Sequence, residues 1–301
     1  MSLTSFFARN GPSGFGGGSS AEQVTSGLDL AGRHILVTGC NSGLGLEMCR
    51  VLRLRGATVT GAARTQEKAD AAMGPMGAAG VACELSEPAS VRAAVATLND
   101  GAPLHAIVCN AGIMALPERQ VKHGVELQLF TNHVGHFLLV TGLLGRLATD
   151  GRVVVLSSAA HKNAPAEGIR FDDLGAEREY GAWSSYGQAK LANLLFVREL
   201  AHRLEGERRA TAVHPGVIAT ALARSMNPVM QAAWALAGPL VLKTIPEGTA
   251  TQTWAAVHPG AAALNGEYLV DCNVAKSSKL GSDRALAARL WEVTEGIAAR
   301  V

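Results

Sequence analysis

Short apolar runs rich in β-branched residues alternate along the chain with longer stretches whose apolar residues recur at helical spacing. The short runs predict six strands, at 34–38, 57–63, 81–85, 104–109, 152–156 and 211–214. Helical spacing predicts helices from residue 46 onward and at 89–98, 121–147 and 183–204. Strands that alternate with helices are typical of an α/β fold with a doubly wound parallel sheet, a Rossmann domain flanked by helices on both faces.

The same pattern divides the chain. Residues 1–30 contain a glycine-rich stretch and no long apolar run, so they are expected to form a flexible N-terminal lead-in without a signal peptide. Residues 31–301 are expected to form one domain. Within it, the substrate-lid segment 221–246 contains Met226, Met230, Trp234 and several leucines, which predicts either a pocket wall for a bulky apolar substrate or a helical lid or subunit contact.

A glycine-rich turn follows the first predicted strand. Glycine allows a close approach of the backbone to a pyrophosphate, and the N–H groups at the start of the next helix attract the anion. A tight structural turn is the alternative. The residues predicted to bind phosphate here are Gly39, Asn41, Ser42, Gly43, Leu44 and Gly45.

The second strand ends in Ala63, and Arg64 follows it. An acidic residue at this strand end would bind the ribose hydroxyls of NAD, whereas an arginine can pair with the 2′-phosphate of NADP. The sequence therefore favours NADP(H) over NAD(H), with an exposed surface arginine as the alternative. The next two strand ends add Glu84, Leu85, Asn110, Ala111 and Gly112 to the predicted crevice, where Asn and Gly are also common turn residues.

The candidate reacting residues lie in the second half of the chain. Tyr186 and Lys190 are four residues apart at the head of a predicted helix, so a phenol and an ammonium share one helix face. The fifth predicted strand ends in Ser157 and Ser158, whose hydroxyls are expected at the rim of the crevice. Asn132 lies inside the predicted helix 121–147 and either holds a water molecule or is hydrogen-bonded within the protein.

Composition limits the partners. The net charge of +2 comes without clusters of Lys and Arg, which argues against nucleic acid and anionic membranes. No apolar stretch reaches the ~20 residues that span a bilayer. The five scattered cysteines suit reduced thiols in the cytoplasm and show no metal-ligand spacing.

Taken together, these motifs resemble the short-chain dehydrogenase/reductase family over about residues 31–274. They are Thr38-Gly39-x-x-x-Gly43-x-Gly45, Asn110-Ala111-Gly112, Asn132, Ser158, Tyr186-x-x-x-Lys190 and Pro215-Gly216 with Thr220. The segments after Lys190 and around Asp271 are similar to the retinol dehydrogenase and WW-domain oxidoreductase branch, without a WW domain. Cys109 and Glu84 depart from the family pattern, where many members have Asn and Asp.

The resemblance implies hydride transfer between a nicotinamide and a carbonyl or alcohol carbon, with Asn132, Ser158, Tyr186 and Lys190 as the catalytic residues. It also implies that Pro215, Gly216, Ile218 and Thr220 contact the cofactor, and that the chain is a homodimer or homotetramer paired through its long helices. The expected substrate is a lipophilic or aromatic alcohol or ketone, retinoid-like or steroid-like. A non-catalytic NADP(H) sensor and an epimerase or isomerase that uses bound cofactor internally stay open as alternatives.

Overall fold

An eight-stranded sheet forms the centre of the protein. The computed structural model describes residues 9–218 and 242–301. The sheet strands are β1 (His34–Thr38), β2 (Thr58–Ala63), β3 (Ala79–Ala82), β4 (Leu104–Cys109), β7 (Leu147–Leu156), β8 (Arg209–His214), β9 (Tyr268–Val270) and β10 (Asn273–Val274), and a separate two-stranded hairpin consists of β5 (Val121–Lys122) and β6 (Val125–Glu126). The α-helices are α1 (Ala21–Val24), α2 (Gly43–Leu54), α3 (Gln66–Met73), α4 (Pro88–Asn99), α5 (Leu127–Leu129), α6 (Gly135–Leu143), α7 (Ala182–Arg203), α8 (Ile245–Val257) and α9 (Arg284–Ala298).

The order of the strands places the ligand crevice. It runs β10-β9-β8-β7-β4-β1-β2-β3, and all neighbours are parallel except β9 and β10. The chain leaves β1 toward β2 on one side and returns to β4 on the other. Because a crevice forms at the carboxyl ends where the winding direction reverses, the ends of β1 and β4 mark the expected binding edge. The predicted doubly wound α/β fold is confirmed.

Both faces of the sheet are covered by apolar side chains. On one face, Met48 of α2 and Trp254 of α8 pack on Val37 and Val154 of the sheet. On the other, the apolar side chains of α4, α6 and α7 pack on the remaining residues of the same strands. Burial on both faces explains why the central strands have continuous apolar sequences rather than alternating ones.

The predicted helix 121–147 is wrong at both ends. Its first residues form the β5–β6 hairpin, in which Val121 is paired with Glu126, and its last residue already belongs to β7. Between them lie α5, a π-helical turn at Phe130–Val134, α6 and a 3₁₀ turn at Leu144–Arg146. The apolar spacing predicted the interior of this segment, but local pairing decides its ends.

Two smaller expectations also need correction. The third strand ends at Ala82, so the predicted strand 81–85 is misplaced and Glu84 and Leu85 follow it in a turn. The lead-in 1–30 is not free of the domain from Arg9 onward. Val24 and Leu30 are buried in the core, and Ser13 donates a backbone hydrogen bond to Asn273 (3.0 Å).

Helix α9 covers α7. Trp291 stacks on Phe196 of α7 with ring centroids 5.7 Å apart, and the guanidinium of Arg203 lies over the Trp291 ring at 4.4 Å. Every residue of α7 from Ser185 to Val197 is buried within this chain. This stretch was expected to pair subunits, and in the structure it has no exposed face. The homo-oligomer therefore stays a prediction.

Candidate active site

The glycine-rich turn joins β1 to α2 in a conformation that only glycine accepts easily. Gly39 has φ +71°, and a Cβ built on Gly45 would lie 2.2 Å from the carbonyl oxygen of Gly39. Ser42 caps α2 without a side-chain hydrogen bond to the helix, and both Asn41 and Ser42 are exposed. The first N–H groups of a helix have no partner within it and favour an anion. This turn fits the pyrophosphate of a dinucleotide.

Thr38 ties the turn to the end of β4. Its hydroxyl oxygen accepts hydrogen bonds from the backbone N–H groups of Asn110 (2.9 Å) and Ala111 (3.0 Å). The Asn110 side chain donates back to the Thr38 carbonyl (2.8 Å) and accepts from Gln252 (3.1 Å). The predicted crevice residues Asn110–Gly112 are thus held against the glycine turn. Gln252 contributes from α8, where nothing in the sequence pattern marked it.

Arg64 and Glu84 differ in their environments. Arg64 is exposed directly after β2 and makes no hydrogen bond or ion pair with the residues that the structure describes. Glu84 is occupied, because its carboxylate accepts from the backbone N–H (3.1 Å) and the hydroxyl (3.0 Å) of Ser86. Leu85 is buried. Arg64 is free to bind an anion, while the Glu84 side chain stabilises its own turn.

Tyr186 and Lys190 lie on one face of α7, at the carboxyl ends of the strands. The Lys190 Nζ is 5.6 Å from the centroid of the Tyr186 ring and donates to the Leu156 carbonyl at 3.0 Å. Both side chains are buried. An ammonium has three donors, so Lys190 keeps donors for a ligand besides its bond to Leu156.

Burial shifts the two groups in opposite directions. It raises the pKa of the Tyr186 phenol to about 12, and a hydrogen bond with the Ser158 hydroxyl opposes this. It lowers the pKa of the Lys190 ammonium to about 8. Desolvation disfavours whichever form is charged, which explains both directions. For the Tyr186 phenol, the effect of burial is larger than that of the Ser158 hydrogen bond.

The two serines after β7 have separate roles. Ser157 is buried and its hydroxyl donates to the Lys190 carbonyl (2.8 Å), which fastens α7 to the sheet. Ser158 is directed to the crevice, where its hydroxyl oxygen accepts from Ala160 N–H (3.1 Å) and interacts with Tyr186. Ser158 is therefore the serine that belongs to the candidate site.

His161 fixes the backbone of Ser158. Its Nδ1 donates to the Ser158 carbonyl (2.6 Å), and its Nε2 accepts from the backbone N–H of Ser278 (3.0 Å). Burial lowers the pKa of this histidine, in keeping with a neutral ring. Sequence reasoning missed His161, although its position three residues after the candidate serine is a usable signal.

Asn132 lies in the π-helical turn and is completely buried. Its Oδ1 accepts from the backbone N–H of Ile113 (2.8 Å) and its Nδ2 donates to the Ile113 carbonyl (2.9 Å). The side chain thus holds the chain after β4 in place. Of the two readings of Asn132, the structure supports the hydrogen-bonded one for the side chain.

His136 connects Asn132 to β1. Its Nδ1 lies 2.9 Å from the Asn132 carbonyl and its Nε2 lies 2.9 Å from the Thr38 hydroxyl. Burial lowers the pKa of this imidazole to about 4, so the ring is neutral at pH 7 and donates from Nδ1. Sequence reasoning did not select His136, although its spacing of four from Asn132 places both on one helix face.

The turn after β8 contains Pro215 and Gly216. Gly216 has φ +92°, and a Cβ there would lie 2.7 Å from Cδ of Lys243. Ile218 forms a β-bridge with Lys243, whose Nζ pairs with Asp271 at 2.5 Å. The turn after β8 is therefore in contact with Lys243, which lies just before α8. The predicted contact Thr220 and most of the lid segment 221–246, namely 221–241, lie outside the described residues.

Two other properties concern partners. No helix within the described residues has the length and hydropathy needed to cross a membrane. In the same part of the chain, no group of three or more His, Cys, Asp or Glu residues could hold a metal ion.

Comparison with known proteins gives consistent matches. The family described as short chain dehydrogenase matches residues 33–171. Short-chain dehydrogenase TIC 32 B, chloroplastic, of Brassica napus is 38% identical, over 94% of this chain and 93% of the relative. Retinol dehydrogenase 12 of Homo sapiens is 37% identical, over 89% of this chain and 86% of the relative. The chloroplast location belongs to the plant relative, and a cytoplasmic location for this chain stays a prediction.

Solved structures share the fold. An uncharacterised protein from Mycobacterium paratuberculosis superimposes with a TM-score of 0.74 and 31% identity, over 92% of this chain and 97% of that one. A short chain dehydrogenase from Burkholderia cenocepacia, solved in complex with NADP, gives a TM-score of 0.62 with 21% identity over 80% and 96% of the two chains. The chain belongs to the short-chain dehydrogenase family and is an alcohol/carbonyl oxidoreductase.

Proposed function

We propose that this chain is an NADP(H)-dependent oxidoreductase that interconverts a carbonyl and an alcohol on a lipophilic or aromatic substrate. The observation that carries the proposal is the placement of Tyr186, Lys190 and Ser158. A buried phenol lies between a buried ammonium and a hydroxyl, at the edge of the sheet where the glycine turn opens. Few structural needs would bury a phenol and an ammonium side by side.

The residues present fit a nicotinamide dinucleotide. The glycine turn with Ser42 and the start of α2 would hold the pyrophosphate, and Asn110–Gly112 would line the path toward the reacting end. Pro215 and Gly216 would contact the nicotinamide end. Bound there, the cofactor would supply or accept the hydride, while this chain's own residues position it and move the proton.

Tyr186 is the proposed proton donor and acceptor for the substrate oxygen. With its pKa raised to about 12, the phenol is protonated at neutral pH and ready to donate to the oxygen of a carbonyl being reduced. Alcohol oxidation requires the phenolate, which a nearby positive charge stabilises. At neutral pH the phenol is therefore in the protonated form that carbonyl reduction requires.

Lys190 and Ser158 assist that proton transfer. The lysine pKa of about 8 leaves the ammonium mostly charged at pH 7, so it stabilises a phenolate and can bind hydroxyl groups of a ribose. The Ser158 hydroxyl is the group that would donate to the substrate oxygen as negative charge develops there. Asn132 acts through other groups, since its side chain holds Ile113 and its carbonyl accepts from His136.

Arg64 supports the choice of NADP(H). It is exposed and unpaired among the described residues, next to the strand end where the adenosine ribose would lie. A guanidinium in that position binds a 2′-phosphate in a bidentate manner. A short chain dehydrogenase with the same fold was solved with NADP, which agrees with this choice.

The test is a screen of aromatic and aliphatic aldehydes, ketones and alcohols with the purified chain, followed by NADPH absorbance. We expect consumption of NADPH with carbonyl compounds, and weaker consumption of NADH. Binding of NADPH without consumption by any carbonyl compound would instead support the sensor. Conversion of a compound without net change in NADPH would support the epimerase or isomerase.

A further inference from the structure

Three side chains of α7 form one stripe that leads from the interior to solvent. Trp183, Tyr186 and Lys190 stand at positions i, i+3 and i+7, so they share a helix face. Their exposed fractions are 38% for Trp183, 7% for Tyr186 and 5% for Lys190. The stripe therefore opens to solvent at Trp183, one helical turn from the phenol.

The indole contacts the reacting residue directly. The rings of Trp183 and Tyr186 meet edge to face, with centroids 6.2 Å apart and an angle of 82° between the planes. Among the described residues, Trp183 is the single aromatic side chain in the group of large hydrophobics that are exposed. A tryptophan so exposed costs hydrophobic free energy unless something apolar covers it.

The surroundings of Trp183 are fixed rather than loose. Tyr180 donates its hydroxyl hydrogen to the Leu116 carbonyl at 2.6 Å, which ties the chain before α7 to the segment after β4. Gln128 of α5 lies 3.4 Å from the Ala182 carbonyl. Residues on either side of the start of α7 are thus anchored, and the indole is presented from a rigid helix end.

We infer that Trp183 is a wall of the substrate site that selects flat aromatic or conjugated carbonyl compounds over saturated compounds of similar size. The inference rests on the proposed function and assigns a residue to its substrate preference. An aromatic ring stacked on the indole gains about 0.5–1.5 kcal/mol beyond the area it buries, or about 2- to 10-fold in affinity. A saturated ring of the same shape gains only the burial.

The experiment compares benzaldehyde with cyclohexanecarbaldehyde, which differ in flatness and aromaticity. In both reductions the hydride of NADPH goes to the carbonyl carbon and a proton goes to the oxygen, giving the alcohol and NADP⁺. Trp183→Leu keeps an apolar side chain but removes the ring. We expect kcat/KM for benzaldehyde to fall about 2- to 10-fold, through KM, with a smaller fall for cyclohexanecarbaldehyde.

Two variants control the result. Trp183→Phe keeps a flat ring and should recover part of the preference for benzaldehyde. Leu54→Ala, which truncates an exposed apolar side chain at the end of α2, should change neither substrate. Circular dichroism and calorimetric titration with NADPH verify that each variant is folded and binds cofactor.

Equal losses for both aldehydes, or a loss in kcat alone, would overturn the inference, because they would mean that Trp183 only supports Tyr186. Unchanged kinetics in Trp183→Leu would overturn it as well. If the unmodified chain consumed no NADPH with any carbonyl compound, the proposed function itself would fail, and this outcome is distinct from every variant result.

Discussion

In the proposed function, the two sides of the crevice would hold cofactor and substrate by different physical means. On the cofactor side, the groups are backbone N–H donors at the start of α2 and the exposed guanidinium of Arg64. On the reacting side, the groups are the buried side chains of Tyr186 and Lys190, whose pKa values burial shifts in opposite directions. The cofactor side leaves the charge of Arg64 exposed to water, whereas the reacting side buries its ionisable groups.

The difference separates binding from chemistry. A guanidinium in solvent attracts a phosphate without a large desolvation cost, but salt screens it. A phenol and an ammonium in a poorly solvated site respond strongly to any new neighbouring charge, which is what a proton transfer requires. Changes on the reacting side should therefore alter turnover and pH dependence, while changes on the cofactor side should alter cofactor affinity.

The largest effect is expected from Tyr186→Phe. Loss of the proton donor should lower the rate of carbonyl reduction about 10²- to 10⁴-fold, while the dissociation constant of NADPH stays within a small factor. Steady-state kinetics and calorimetric titration measure the two quantities. Tyr268→Phe is the matched control, since Tyr268 is a second buried tyrosine with a pKa raised to about 12 that lies on β9. Comparable turnover in Tyr186→Phe and Tyr268→Phe would contradict the assignment.

The second effect is an acid sensitivity of the buried side. The folded-state pKa of His136 is about 4, below the ordinary value of 6.5, so the unfolded chain takes up the proton first. The contribution of neutral His136 to the free energy of unfolding is fully present above pH 6.5 and is lost as the pH falls toward 4. From these two values the loss between pH 7 and pH 4 is about 3 kcal/mol for this residue.

Urea unfolding at several pH values in this range measures that loss. His136→Gln should unfold with a shallower pH dependence, because it removes one of the buried imidazoles. His202→Gln, at an exposed histidine near the end of α7, is the control and should keep the full dependence. An unchanged slope in His136→Gln would show that His136 is not the residue responsible.

The third effect concerns the exposed side. Arg64→Asp should lower kcat/KM for NADPH about 10- to 100-fold, since a charge-assisted bond to a phosphate is replaced by repulsion. The value for NADH should rise or stay the same. Lys276→Asp reverses a charge beside β10, at the opposite edge of the sheet, and should leave the ratio unchanged. An unchanged ratio in Arg64→Asp would remove Arg64 from cofactor recognition.

The smallest effect is a difference in salt dependence. Raising ionic strength from about 0.01 M to 0.15 M shortens the screening length from ~30 Å to ~8 Å, so the KM for NADPH should rise several-fold. The kcat at saturating NADPH should hardly change, because buried groups are screened less. Steady-state kinetics in a salt series measures both quantities. An equal response of KM and kcat would contradict the assignment of exposed charges to the cofactor side and buried groups to the reacting side.

The sequence predicted the exposed side better than the buried one. Glycine spacing at Gly39, Gly43 and Gly45 identified the turn because backbone geometry demands that residue type. The relation of Tyr186 to Lys190 followed from helical periodicity. The directions of their pKa shifts did not, since burial depends on the segments that cover α7 from distant parts of the chain.

Other misses have similar physical causes. Asn132 was selected from the sequence as a candidate catalytic residue, but its hydrogen bonds to Ile113 depend on a π-helical turn that no apolar spacing indicates. Gln252 contacts Asn110 from α8, 142 residues further along the chain, so local patterns could not connect the two. The end of the third strand was misplaced because Cys83 and Leu85 are as apolar as the strand itself.

The packing of α9 on α7 has a consequence for how this protein is made. Phe196 emerges from the ribosome well before Trp291. During translation the apolar side of α7 therefore stays uncovered until a segment nearly a hundred residues later has been synthesised. Contacts of such long sequence separation slow folding, because the loop between them must close first. Nascent chains that lack α9 would expose Phe196 and its neighbours, and are the intermediates on which chaperones are expected to act.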